Sequence, residues 1–125
     1  MWDNRAQYVT NHDGDNATMI LDYGLSLHQE LEIRLASVWA PELKDQGGPE
    51  VQLFVQRWFL RYSISKWPFV VWSHRMKMAD KEQMTFNRYV GSITTADGKR
   101  NLNTDVMAYI VAQGYTGGIG SIARG

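Results

Sequence analysis

Apolar and polar residues alternate in three short runs near the start of the chain, which is the period-two pattern of half-buried β-strands. The runs cover Ala6 to Thr10, a stretch through Ala17, Met19 and Leu21, and residues 29 to 38. In the third run the leucines and isoleucine at positions 31, 33 and 35 take one face, which leaves Glu32 and Arg34 on the other. Turn residues separate the runs, so we predict a three-stranded antiparallel meander.

Two later segments repeat apolar residues every three or four positions, as amphipathic helices do. The first follows a loop at residues 43 to 50, in which Pro49 suits a first helical turn and Glu50 suits the positive end of the helix dipole. It carries a wide aromatic face through residues 51 to 62. The second runs from Leu102 to Gln113 and is stopped by Gly114. Further strands are predicted at 67 to 74 and 86 to 94, joined by a basic loop at 75 to 81.

Length and composition narrow the class of protein. A chain of 125 residues suits one domain, and the absence of cysteine excludes disulfides and thiolate metal sites. The N-terminus has no apolar signal segment and no apolar run approaches bilayer length, so we expect a soluble, cytoplasmic protein without a membrane partner. Residues 116 to 125 include four glycines and form a predicted tail that becomes ordered only by contact with something else.

Charge is zero overall but unevenly distributed along the chain. Residues 1 to 50 hold nine acids and three bases, whereas residues 51 to 125 hold ten bases and four acids. The acidic half suits a cation site and the basic half suits contact with a phosphate backbone. Ordinary solvated surface explains the same distribution equally well.

Several short motifs follow one another in an order that is more specific than any one of them. They are Asp13-Gly14-Asp15, Arg34-Leu35, Ala40-Pro41-Glu42, Gly48-Pro49-Glu50, Phe86-Asn87-Arg88-Tyr89, Asp97-Gly98-Lys99 and Leu102-Asn103. From about Tyr8 to Tyr115 the chain thus resembles the staphylococcal nuclease (thermonuclease-like) family. The resemblance implies an α+β fold over residues 1 to 115, a five-stranded OB-fold β-barrel with two helices. It also implies calcium-dependent cleavage of phosphodiester bonds in DNA and RNA.

The resemblance assigns three catalytic residues. Arg34 and Arg88 match the family's two catalytic arginines, and Glu42 matches the glutamate that orients or deprotonates the attacking water. The assignment is chemically reasonable because negative charge accumulates on the phosphate as the nucleophile arrives, and a planar guanidinium binds two phosphate oxygens at once. The alternatives are a surface ion pair with Glu32 or Asp45 for each arginine and a solvated loop acid for Glu42.

The implied metal site departs from the family pattern. Asp15 matches the calcium-binding aspartate, Asp13 is its acidic neighbour, and the carbonyl of Ala40 is a further ligand. A second ligand aspartate of the family is replaced by Trp39, and the threonine after the acidic turn is replaced by Asn16. Because calcium takes six to eight oxygen ligands, we expect weak Ca²⁺ binding, or Mg²⁺ binding with most of its water retained.

The nucleotide contacts change as well. The family's lysine and tyrosine near the second arginine are Thr85 and Phe86 here, so a phosphate contact is lost while Phe86 keeps a surface for base stacking. His12, His28 and His74 are too scattered for a zinc motif. His12 adjoins the acidic turn and is a candidate to replace some metal or base function, although an ordinary surface histidine is the favoured interpretation.

Two functions from different classes are compatible with these residues. One is a nuclease with little sequence preference, since contacts to the phosphate backbone read no bases. The other is a catalytically weak or inactive OB-fold module that binds nucleic acid or acts as a structural subunit, for example in a phage-type assembly contacted through the glycine-rich tail. Retention of Arg34, Glu42 and Arg88 favours the first, and Trp39 favours the second.

Overall fold

The computed structural model describes residues 2–74 and 88–115. Along the chain these form β1 (Trp2–Thr10), β2 (Asn16–Asp22), β3 (His28–Leu35), α1 (Gly48–Tyr62), β4 (Phe69–His74), β5 (Arg88–Thr95) and α2 (Leu102–Gln113). The strands close into a barrel in the order β1-β2-β3-β5-β4, and β3 and β5 are its one parallel pair. The predicted α+β, OB-fold-like architecture is confirmed. Neither helix among the described residues has the length and apolar character needed to cross a bilayer.

Most predicted elements are present, with shifted ends. β1 begins at Trp2, four residues before the prediction, and β3 ends at Leu35, three residues before it. The early end of β3 has a local cause: Ser37 adopts φ 60°, a left-handed conformation, and the Val38 amide turns back to the Leu35 carbonyl at 3.4 Å. The predicted loop at 75 to 81, Phe86 and the tail at 116 to 125 lie outside the described residues.

The hydrophobic core is formed by the barrel interior and by the buried faces of α1 and α2. Val51, Val55 and Phe59 repeat along the buried face of α1 and are fully buried. Phe59 stacks on Tyr8 of β1 with a centroid distance of 4.2 Å and meets Phe69 of β4 edge to face. Burial of each such side chain is worth about 1.5–3 kcal/mol, so this face holds α1 against the barrel.

The acidic turn between β1 and β2 packs directly on the start of α1. A methyl group at Gly14 would lie 2.3 Å from Val51 Cγ1 and 2.9 Å from Ala40 Cβ. Only glycine allows this approach, which explains why the residue between the two aspartates carries no side chain. The turn, the chain after β3 and the first turn of α1 therefore have a fixed mutual position.

Helix α2 ties together the two parallel strands. The Asn103 side-chain amide donates to the carbonyls of Ala36 (2.9 Å) and Gly91 (3.1 Å), while its oxygen accepts from the Ile93 amide at 3.2 Å. The first bond satisfies the Ala36 carbonyl just past the end of β3, and the other two reach the backbone of β5, where the Gly91 carbonyl also accepts from the Ala36 amide. They hold the β3–β5 pair, the strands on which Arg34 and Arg88 lie.

Candidate functional site

The Asp13-Gly14-Asp15 turn is built by short side chains that bond to neighbouring backbone. The Asp15 amide donates to Asp13 Oδ1 at 3.3 Å, and Asn16 Oδ1 accepts from the His12 amide at 3.2 Å. Aspartate and asparagine favour such turns because their side chains substitute for backbone acceptors. Asn16 stands where the resembled family has threonine, and here it takes this turn-forming role.

Arg34 on β3 is anchored to the backbone of the same turn. Its Nη1 donates to the Asp15 carbonyl at 3.3 Å and to the Leu35 carbonyl at 2.8 Å. Its Nη2 lies 3.7 Å from Asp15 Oδ2, and both side chains are partly buried, 30% and 20% exposed. Arg34 therefore forms an ion pair with Asp15. A guanidinium held at one end by two carbonyls is oriented without a ligand.

Asp13, Asp15 and Arg34 line one open cleft. The cleft has a volume of about 690 Å³ on the outer side of β1 to β3, and His12, Asn16 and Glu32 also line it. The structure thus brings together two of the three predicted metal ligands and one of the two predicted catalytic arginines. It also places His12 at the edge of the same cleft.

The carboxyl group of Asp15 has an unusual environment. Burial raises its pKa from 3.8 to about 7, and the neighbouring Asp13 adds to this through a side-chain hydrogen bond and through its charge. The positive charge of Arg34 and the backbone amide of Ala40 act in the opposite direction but do not compensate. Below about pH 7 the Asp15 carboxyl therefore holds a proton, which a bound cation would displace.

The segment after β3 meets the cleft differently from the expectation. Ala40 presents its backbone amide to the Asp15 carboxylate, whereas the prediction used its carbonyl as a metal ligand. Trp39, which replaces a family aspartate, is 37% exposed. Glu42 is not among the residues that line the cleft: its carboxylate lies 3.5 Å from Lys44 Nζ and is 68% exposed. The catalytic role of Glu42 stays a prediction.

The second predicted arginine lies at the start of β5. The backbone of Arg88 pairs with Glu32 of β3, and Arg34 pairs with Val90 two residues further along. The two arginine positions are therefore on hydrogen-bonded neighbouring strands. Phe86, the predicted base-stacking residue, lies outside the described residues.

Two residues that support the site were missed in the sequence. Asn11 is buried, accepts a hydrogen bond from the Tyr8 hydroxyl and donates to the Asp13 carbonyl at 3.0 Å. It also exchanges hydrogen bonds with Gln52 of α1. An asparagine just before a polar turn is usually solvent-exposed, so no local signal distinguished Asn11.

Oxygen donors dominate the cleft. Across residues 2–74 and 88–115, no group of three or more histidine, cysteine, aspartate or glutamate side chains is arranged to hold a metal ion. The two adjacent carboxylates Asp13 and Asp15 suit a hard cation that keeps much of its water. The protein is thus an OB-fold-like barrel with an open cleft, in which Arg34 forms an ion pair with Asp15. The chain matches no protein-family model and no curated protein.

Proposed function

We propose that this protein hydrolyses phosphodiester bonds of DNA or RNA at the cleft that Asp13, Asp15 and Arg34 line, assisted by a weakly bound divalent cation, Ca²⁺ or Mg²⁺. The observation that carries the proposal is the backbone-anchored guanidinium of Arg34, 3.7 Å from the Asp15 carboxylate in an open cleft. An oriented guanidinium stabilises the negative charge that accumulates on a phosphate during hydrolysis, and the adjacent carboxylate pair is able to bind a metal ion.

Arg34 has donors left for a substrate. Its Nη1 is engaged by the carbonyls of Asp15 and Leu35, and its Nη2 faces Asp15 Oδ2 at 3.7 Å. The edge formed by Nη2 and Nε would therefore reach phosphate oxygens once a cation binds the Asp15 carboxylate. Because the Arg34 guanidinium is already oriented, it does not have to reorganise when a substrate binds. The binding energy then serves to position the substrate phosphate. Arg88, on the neighbouring strand, is assigned the second phosphate contact by the family resemblance.

The carboxylates are assigned to the cation. Asp13 and Asp15 supply two oxygen-rich groups, and a bound cation supplies charge neutralisation at the phosphate. Contacts of this kind address the sugar–phosphate backbone, so we expect little sequence specificity. Activation of the attacking water is assigned to Glu42, and this role requires that its ion pair with Lys44 opens.

A catalytically weak or inactive OB-fold module is the second candidate function. The position of Glu42 outside the cleft and the presence of Trp39 in place of a ligand aspartate favour it. Such a module would bind nucleic acid or serve as a structural subunit of a larger, phage-type assembly.

Degradation of supercoiled plasmid DNA and of single-stranded RNA, in millimolar calcium, in magnesium or in chelator, tests the proposal. Cleavage that chelator abolishes and that Arg34→Lys sharply reduces supports a nuclease at this cleft. Arg5→Lys is the matched control, because Arg5 also pairs with an aspartate, Asp22, on the barrel surface. Binding of nucleic acid without cleavage in every metal would instead establish the module.

A further inference from the structure

A second groove lies between α1 and α2 and shares no lining residue with the acidic cleft. Its volume is about 650 Å³, and three arginines, Arg57, Arg61 and Arg100, line it. Arg57 and Arg61 are one helical turn apart on α1, so they project from the same side of that helix. Two acidic residues, Glu50 and Asp105, also line the groove, so its lining keeps an excess of one positive charge. Phosphodiester cleavage at the acidic cleft does not use this groove.

The positive charge of this groove is only partly compensated. Asp105 of α2 is already engaged, because it pairs with Arg100 at 3.0 Å and accepts from Trp58 Nε1 at 2.9 Å. Among the described residues Arg57 has no ion pair, and the contact of Arg61 is with the Tyr62 ring, 5.5 Å from its centroid. Two guanidiniums one turn apart are thus available to a partner's carboxylates.

The aromatic floor of the groove is packed against itself. Phe54 stacks on Tyr109 at 4.4 Å, and Trp58 is covered by Phe69 at 5.7 Å and by the edge of Tyr62 at 5.1 Å. A surface that binds single strands has to offer open ring faces to the bases. This floor instead offers apolar edges, which suit aliphatic side chains better than bases.

An exposed apolar stripe continues from the groove along α1. Leu53, which lines the groove, and Leu60, two turns further along the helix, are 39% and 61% exposed. Positions 53, 57 and 60 recur at helical spacing, so Arg57 lies within this stripe. Ile64, which is 86% exposed, follows the end of α1 at Tyr62. Contiguous apolar surface beside unneutralised charge is typical of a protein interaction site.

We infer that the α1–α2 groove binds an acidic amphipathic helix of a partner protein. Residues 50 to 62 of α1 extend about 18 Å, enough to lie along roughly three turns of another helix. The partner's leucine-like residues would cover the groove floor and Leu53, and two carboxylates one turn apart would pair with Arg57 and Arg61. Charge complementarity and the aliphatic rim favour this partner over nucleic acid.

Fluorescence anisotropy with defined probes tests the inference. The first probe is a labelled 14-residue peptide with leucines on one helical face and glutamates one turn apart beside them. The second has the same residues in an order that distributes the leucines around the helix, and the third is a labelled oligothymidylate. We expect the first probe to bind and the other two to bind at least roughly tenfold more weakly, because only the first presents both apolar and acidic groups in register.

Matched variants locate the binding. Arg57→Gln/Arg61→Gln should weaken the first probe roughly tenfold, whereas Lys44→Gln/Lys66→Gln removes two exposed charges elsewhere and should leave it unchanged. Glutamine preserves helix propensity, and circular dichroism checks that each variant folds. Equal binding of the two peptides, preferential binding of the oligothymidylate, or an unchanged affinity in the arginine variant would overturn the inference. Self-association that the arginine variant abolishes would also overturn it, because the occupant would then be a second copy.

Discussion

Asn11 and Gln52 exchange two hydrogen bonds across 41 residues of sequence. The Asn11 side-chain amide donates to the Gln52 carbonyl at 3.1 Å, and the Gln52 side-chain amide donates to the Asn11 carbonyl at 3.2 Å. The same Asn11 amide reaches the Asp13 carbonyl. The acidic turn is therefore joined to α1 by polar contacts as well as by the packing around Gly14.

Replacing Asn11 by alanine should destabilise the protein by about 2–3 kcal/mol. The Tyr8 hydroxyl and the Asp13 carbonyl lose a hydrogen-bond partner at a partly buried site, and the contact with the Gln52 carbonyl is lost as well. Gln52→Ala removes only the hydrogen bond from the Gln52 side chain to the Asn11 carbonyl and should lower the free energy of unfolding by about 1 kcal/mol. Urea unfolding of both variants measures the difference, and equal losses would contradict the central position given to Asn11.

Asp15→Asn should stabilise the protein at high pH. Because the pKa of folded Asp15 lies near 7, above 3.8, its contribution to stability is complete below about pH 4 and is lost as pH rises through 7. Asparagine keeps the neutral form at all pH values and can still donate to Asp13. After allowance for partial exposure we expect a gain of about 2 kcal/mol at pH 8.

Melting curves of the parent and of Asp15→Asn between pH 4 and pH 8, without divalent cations, measure this effect. The two curves should converge near pH 4 and separate above it. A constant difference across that range would show that the Asp15 carboxyl does not hold its proton as described.

Trp39→Asp should strengthen calcium binding at a moderate cost in stability. The indole is 37% exposed, and because the rest of its apolar surface is covered we expect a loss of about 2 kcal/mol. An added carboxylate near Asp15 should raise calcium affinity roughly tenfold, from the weak range typical of sites with few ligands. Isothermal titration with calcium measures the affinity.

Trp39→Asn is the matched control, since it removes the indole without adding charge. Calcium at ten times the dissociation constant should stabilise a binding variant by about 1.4 kcal/mol. An Asp variant whose calcium affinity equals that of the Asn variant would show that position 39 does not reach the cation.

Arg34→Lys should reduce phosphodiester cleavage by about 100-fold. Lysine cannot keep both backbone carbonyl contacts and present two further donors to phosphate. We also expect a stability loss of about 1 kcal/mol from the weakened anchoring. Initial rates on plasmid DNA, measured with Arg5→Lys in parallel, separate the two effects, and an equal loss in both variants would argue against a special role for Arg34.

Local patterns predicted the helices and most of the strands. The second helix was located to the residue, from Leu102 to Gln113, because its end is marked by Gly114, whose φ of 74° suits glycine. Its start is capped by Asn101, which accepts from the Thr104 amide. The alternation of apolar and polar residues around Arg34 likewise predicted which face of β3 is buried, because successive side chains of a strand point to opposite faces of the sheet.

The site was predictable only in part. The chain order of motifs, through the resemblance, indicated that Asp13, Asp15 and Arg34 belong together, and they line one cleft. It did not indicate that Glu42 would lie beside Lys44, because Glu42 follows a turn that begins at Ser37 with a left-handed conformation. When a residue other than glycine adopts a left-handed conformation, contacts with the surrounding structure impose it, so the local sequence does not predict it.

By itself the sequence determined the alternation, the helix ends and the glycine in the acidic turn, since each depends on neighbours along the chain. Tertiary structure alone decided the raised pKa of Asp15 and the Asn11–Gln52 contacts. Those features depend on desolvation and on partners tens of residues away. A carboxyl group acquires an unusual pKa only when folding removes its water and brings a second carboxylate beside it.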